Sequence, residues 1–407
     1  MSYPIKAYQT EKFKNNTVGL YFFWPLSKEK AAEVTVLSRM LSDRCVAFPT
    51  KQAMTANSDN FYALNTNFRT FTTGKALCME VLLSALDDRF CQEGQWQGIF
   101  ATLKEMIFRP LLNEEVFAEA KRNALQSIAR RQEDFSTYCS SQAVKSAGAN
   151  QPLEIDAEGE QEEVEALSLD DLKRVHQELL EDTFVVLLST GWLSQDQLEG
   201  YAKEYLPFSD HNLLETAYCF EKDDVTSITI DKKTTQAEIT VLYNGPVNVK
   251  SPDYWALRVA AALLGQFPVS LLFREVREKR SLCYSIFSTT INFDGVLVIS
   301  TATQKKNIAE VLSLIDQLVK QVANGDFDDS LLAIIKKMMS DIFSASLDRP
   351  SGMLNLGLNS VLTKTDVSPE AIVKQISKVD REAITSVFTR LKKIGVAVLC
   401  DPAQKEE

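Results

Sequence analysis

Histidine is nearly missing from this chain: 407 residues contain two, His176 and His211, far apart and outside any motif. A lone imidazole without clustered companions makes a poor zinc site, so each reads as an ordinary surface or half-buried side chain. The seven cysteines (Cys45, Cys78, Cys91, Cys139, Cys219, Cys283 and Cys400) are scattered, odd in number and without a C-x-x-C pair. That pattern speaks against a thiolate metal site or a disulfide framework, and it predicts a reducing, cytoplasmic setting. A G-x-S-x-G elbow and a phosphate-binding loop are absent too, so neither offers a chemistry. No apolar run approaches the length of a membrane span, and the opening stretch MSYPIKAYQTEKFKNN lacks the apolar core of a signal peptide. Basic charge is also short. The net charge of −11 disfavours nucleic acid or an anionic membrane as partner.

What is present is a globular chain, 45% hydrophobic, long enough for two or three domains. Its organisation is an internal repeat of about half the length. TVGLYFFWP (Thr17–Pro25) and AEITVLYNGP (Ala237–Pro246) each read as a strand ending near a proline, followed by helical stretches at Lys28–Ser42 and Asp253–Gly265. Phe61–Thr70 and Tyr284–Thr301 supply further strands, the second folded at a turn over Asn292–Gly295. A helix follows in the second half over Ile308–Val322. Another carries Leu331, Ile334, Ile335, Met338 and Ile342 as its expected core face. Both halves close alike, with a capping-box-like opening (Ser168 and Asp171; Ser377 and Asp380), a helix and a strand (FVVLLS from Phe184; VAVLC from Val396). The expected fold is α+β, in two homologous domains over 1–210 and 220–407. Each is an antiparallel-rich sheet packed with helices, the boundary lying in Leu206–Lys222. One segment breaks the repeat. Glu154–Glu165, EIDAEGEQEEVE, reads as a solvated loop, with an acidic patch for a basic peptide or partner as the alternative.

The stretch LLFREVREKRSLCYSIFS, Leu271–Ser288, follows a Gly265–Pro268 break and begins with helical spacing of Leu272, Phe273 and Val276. Tyr284 then opens a strand. Arginine brings a fixed fork of donors and tyrosine a phenolic hydroxyl, both able to hold a peptide carbonyl. On spacing alone, a solvated basic helix face with Tyr284 padding the core is the competing reading. This stretch resembles the C-terminal signature of insulinase/pitrilysin-type zinc peptidases, in which an arginine and a tyrosine seven residues on hold the substrate backbone. The resemblance covers Leu263–Ser288 and, more loosely, the pattern through Pro350. It implies that Arg277 and Tyr284 bind substrate, and that the fold is of the insulinase/mitochondrial processing peptidase type.

The same family carries its zinc on an H-x-x-E-H helix in the N-terminal half. By the internal repeat that helix is KEKAAEVTVLSRMLS, which has no histidine. Its Glu29 and Glu33 read as a surface pair. A third family ligand would come from Glu115–Arg131, where Ala120 and Ser127 stand near the acidic positions. No catalytic or metal-binding residue is therefore expected on this chain, and no cofactor. The resemblance implies a non-catalytic subunit that pairs with a zinc-bearing homologous subunit to enclose peptide substrate. The zinc would then lie on the partner alone. Two alternatives stay open: a stand-alone peptide-binding or structural protein of the same fold, and an enzyme whose chemistry no motif reveals.

Overall fold

Apolar runs too dense for burial on one face become inner strands. The computed structural model describes residues 3–403. In chain order it forms β1 (Ile5–Gln9), β2 (Asn15–Pro25), α1 (Lys28–Asp43), α2 (Lys51–Asn60), β3 (Asn65–Thr73), β4 (Ala76–Leu86), α3 (Gln95–Phe108), α4 (Glu114–Arg131), α5 (Phe135–Ala147), α6 (Gln161–Ala166), α7 (Leu169–Glu181), β5 (Phe184–Gly191) and α8 (Gln195–Tyr205). There follow β6 (Thr226–Asp231), β7 (Ala237–Asn244), α9 (Tyr254–Ala261), β8 (Cys283–Ile291), β9 (Val296–Thr303), α10 (Ile308–Ala323), α11 (Asp329–Ser346), α12 (Pro350–Thr363), α13 (Pro369–Lys378), α14 (Arg381–Phe388) and β10 (Lys392–Cys400). No helix among the described residues is long and apolar enough to cross a membrane.

The expected α+β class holds, and the repeat extends to topology. One five-stranded sheet runs β1-β5-β2-β4-β3 and the other β6-β10-β7-β9-β8, the same order twice. In each, the outermost pair is parallel (β1 with β5, β6 with β10) and the remaining pairs are antiparallel. β2 and β5 are buried on both faces, which requires cover above and below the sheet.

That cover explains how the chain divides. One unit holds residues up to Ala129, Ile155–Thr216 and Ser346–Val367; the other holds Arg130–Glu154, Ala217–Ala345 and the chain from Ser368. One crossing, after Thr216, lies inside the Leu206–Lys222 stretch. Four further crossings, at the two ends of 130–154 and of 346–367, exchange a helix each way. α5 packs on β7 and β10, burying Cys139, Ala143 and Ala147 against Leu242, Ala397 and Leu399. In the matching position of the first unit, α12 packs on β5 and β1. The helix lies so close that a Cβ on Gly357 would fall 2.5 Å from the Tyr8 ring, which is why glycine stands there.

Two local readings need correction. Ile334 and Ile342 are exposed, and α11 buries Leu331, Leu332, Ile335 and Met339 instead. The apolar residues covered two faces of the helix, and packing selected one. Ser168 and Asp171 do form a capping box, but Ser377 lies inside α13, and Asp380 caps α14 by itself through the Ala383 N–H.

The β8–β9 turn is held from below by a buried carboxyl. Asp294 is 5% exposed. Its side chain meets the Tyr218 hydroxyl, and its carbonyl takes the Phe220 N–H at 2.9 Å. Burial raises the Asp294 pKa to about 6, against which the Tyr218 hydrogen bond acts. The folded chain therefore holds this proton more tightly than the unfolded one, and the associated stability is lost as pH rises from roughly 4 to 6. Asp294→Asn keeps an acceptor for Tyr218 without the charge. It is expected to stabilise the protein by up to about 3 kcal/mol above pH 6, with the gain shrinking toward pH 4. Urea midpoints of both proteins across that range check it; equal midpoints at pH 8 would refute the burial argument.

Candidate functional site

The run Phe273–Lys279 winds as a π-helix, the second such turn after Ala262–Gln266. Wide turns of this kind are rare and recur at functional sites. The run stops at Ser281, whose φ of 53° is left-handed. Its N–H bonds the Arg277 carbonyl at 3.1 Å and the Leu282 N–H bonds the Val276 carbonyl at 3.0 Å. A serine in that region costs on the order of 1–2 kcal/mol. The reversal sends the chain at once into β8, the edge strand of the second sheet.

β8 enters with a bulge. Cys283 pairs with Thr303 and Ile286 with Thr301, so Tyr284 and Ser285 together oppose Ala302. The carbonyl of Ser285 accepts the Thr301 hydroxyl at 2.8 Å, which fixes the irregularity. Its effect is to turn Tyr284 out to water, 79% exposed. Phe287 further along is also exposed. Tyr284 thus does not pad the core, and the competing reading of this stretch fails on that point.

The structure brings Arg277 and Tyr284 together. The Arg277 guanidinium lies 4.4 Å from the centre of the Phe273 ring and 5.6 Å from that of Tyr284. Such cation–π contacts are worth about 0.5–2 kcal/mol and leave the in-plane N–H donors free. Among the described residues no carboxylate pairs with Arg277 or Arg274, while Lys279 pairs with Glu275 at 2.5 Å and Arg280 with Glu310 at 3.4 Å. An exposed phenol and a braced, unpaired guanidinium can together hold a carbonyl oxygen or charge developing on it. Phe273 is the residue that the sequence reading assigned to a core face. Its place four residues before Arg277, on the helix turn beneath it, was the available signal.

α1 tells the opposite story. A zinc ion needs imidazole, thiolate or carboxylate donors, and the buried stretch of α1 offers one carboxylate, Glu33, beside the hydroxyls of Thr35 and Ser38. Glu33 is no surface residue as expected: it is 1% exposed, bonded to Lys30 at 2.7 Å and to Arg174 of α7. Both its oxygens are engaged by cations, whose positive charge opposes that of a metal ion. Across the described residues, no group of three His, Cys, Asp or Glu is placed to hold one. Ala120 is buried, and Ser127 donates to Glu158 at 3.3 Å. His176 bonds the Ile107 carbonyl at 2.7 Å, its pKa lowered by burial. The residues present do not fit zinc.

Residues 166–339 match the family model described as "Peptidase M16 inactive domain". A Bacillus subtilis protein described as "Probable inactive metalloprotease YmfF" is 22% identical over 393 residues, 94% of this chain and 92% of that protein. A solved structure of a conserved protein from Enterococcus faecalis superposes with a TM-score of 0.90 at 21% identity, over 98% of this chain and 96% of that one. The structure of a peptidase M16 inactive domain from Pseudomonas fluorescens gives a TM-score of 0.80 at 15% identity over the same shares. Both structures share the fold.

Proposed function

We propose that this chain, which is similar to the M16 metallopeptidases of the inactive kind, is the non-catalytic subunit of a two-subunit zinc peptidase. A homologous zinc-bearing subunit supplies the metal, its ligands and the base that activates water. This chain supplies Arg277 and Tyr284, whose N–H and O–H groups donate to carbonyl oxygens of an extended peptide, and half of the wall around it. The observation that carries this reading is the Arg277 guanidinium, held against the Phe273 ring and the outward-turned Tyr284 phenol and bonded to no carboxylate among the described residues. The outer edge of β8, hydrogen-bonded on one side only, adds a row of main-chain groups that an extended peptide can meet.

Peptide cleavage by this chain alone, by a zinc-bearing M16 homologue from the same organism alone, and by the mixture tests the reading. Activity is expected only in the mixture, and chelator should abolish it. No gain on mixing, with the two chains eluting separately from a sizing column, would sink the proposal and leave a stand-alone binding protein.

A further inference from the structure

α1 is enclosed on every side. From Ala31 to Leu41 each residue is buried except Arg39, which is half-buried. An ordinary surface helix buries one stripe and gives its polar face to water. Here Glu33, Thr35 and Ser38 are covered as well.

Glu33 is covered by Lys30 and by Arg174 of α7; over Ala32 and Thr35 the cover is the acidic segment, which is neither the solvated loop nor the open acidic patch that composition suggested. The Thr35 hydroxyl lies 3.0 Å from that of Thr70 on β3 and donates to the Ala157 carbonyl at 3.1 Å, so the segment rests beside the edge strand as well as on the helix. Gly159, at φ +75°, sits so close that a Cβ there would fall 2.8 Å from the Ala32 Cα. Ile155 and Ala157 pack on the first core, and Val164 is fully buried. The outer side is fastened too. Glu158 accepts from Ser127 at 3.3 Å, and the Lys121 ammonium donates to the carbonyls of Glu165 and Leu167 at 2.7 and 2.9 Å. Glu162 and Glu165 face water, while Ile155, Ala157, Gly159 and Val164 seat the segment inward.

We propose that Ile155–Glu165 is a built-in cover that keeps α1 closed, so that this helix takes neither a metal ion nor a peptide. The disagreement with a zinc site then lies in the fold as well as in the residues: new ligands on α1 would face the protein's own backbone. Contact with substrate is left to the Arg277–Tyr284 end of the chain.

Thiol accessibility tests this apart from any peptide activity. Thr35→Cys is nearly isosteric and places a thiol under the cover. In the native protein the new thiol is expected to resist maleimide at least tenfold longer than an exposed cysteine, read by mass spectrometry of the residue 28–43 peptide. Adding Gly159→Val forces a side chain into α1 at a left-handed backbone position. It is expected to raise the labelling rate at least tenfold and to speed amide exchange along Lys28–Asp43. Lys121→Ala unties the far end without touching α1, and gives a smaller rise should the valine variant not fold. Rapid labelling of the single Thr35→Cys variant overturns the proposal. So does a folded Lys121→Ala protein in which neither labelling nor exchange moves.

Discussion

A fragment of residues 217–407 is expected to show no cooperative unfolding transition, and one that also carries residues 130–154 at its N-terminus is expected to regain it. The reason is the exchanged helix. Without α5 and the turn after it, the second sheet uncovers Phe220, Leu242, Val296, Val298, Ile394, Ala397 and Leu399, which now form a core with Cys139, Ala143, Ala147 and Leu153. Exposing a set of this size forfeits on the order of 10 kcal/mol of hydrophobic stabilisation. A domain's whole stability is about 5–15 kcal/mol, so the fragment has nothing left. Polar losses add to this. Ser140 would leave the Thr240 and Ser300 hydroxyls, 3.0 and 3.2 Å away, and Lys222 would lose the Ala147 carbonyl at 3.1 Å. Urea titration followed by circular dichroism decides: a sigmoidal transition in the short fragment would show that α5 is an accessory, and that 220–407 is a domain in its own right.

In the two-subunit enzyme proposed above, Arg277→Ala is expected to lower kcat/KM by about 10²–10³, the size of effect seen when a charge-stabilising donor is removed from an active site. Arg277→Lys recovers little. A lysine carries the charge but neither the planar fork nor the fit between the Phe273 and Tyr284 rings. Tyr284→Phe keeps the ring under Arg277 and removes only the hydroxyl, so a smaller loss, about tenfold, is expected. Neither change should disturb folding, since Tyr284 is exposed on a bulge and Arg277 has no ion pair to break. Thermal midpoints within about 1 °C of the parent would establish that. Parent-like turnover in Arg277→Ala would remove the arginine from any role with substrate, whatever the fate of the heterodimer.

Much of this molecule was written in its one-dimensional pattern. Dense apolar runs placed β2 and β7, and alternating or period-3.6 apolar spacing placed β8–β9 and α10, because hydrophobic burial dominates the energetics of these elements. The repeat of that pattern gave two like sheets. The motif from Leu271 to Ser288 singled out Arg277 and Tyr284, and two histidines in 407 residues spoke against an imidazole metal site. These are properties of residue identity and local order, which a chain carries before it folds.

Other features depended on contacts between residues far apart in the chain. α11 had apolar side chains on two faces, and only the packed neighbours selected which face was core. α5 and α12 are amphipathic helices like any other by sequence; which sheet each covers follows from where the chain lies after folding, so no local signal marked the exchange. The bulge that turns Tyr284 outward is set by the register of β8 on β9, a partner absent from the motif. The acidic segment misled composition most clearly. Seven carboxylates in twelve residues suggest a solvated loop, yet Gly159, Ala157 and Val164 between them supply a bare backbone and two apolar side chains that fit the surface of α1. Charge count sees the side that faces water; burial of the alternate residues is decided by the helix beneath.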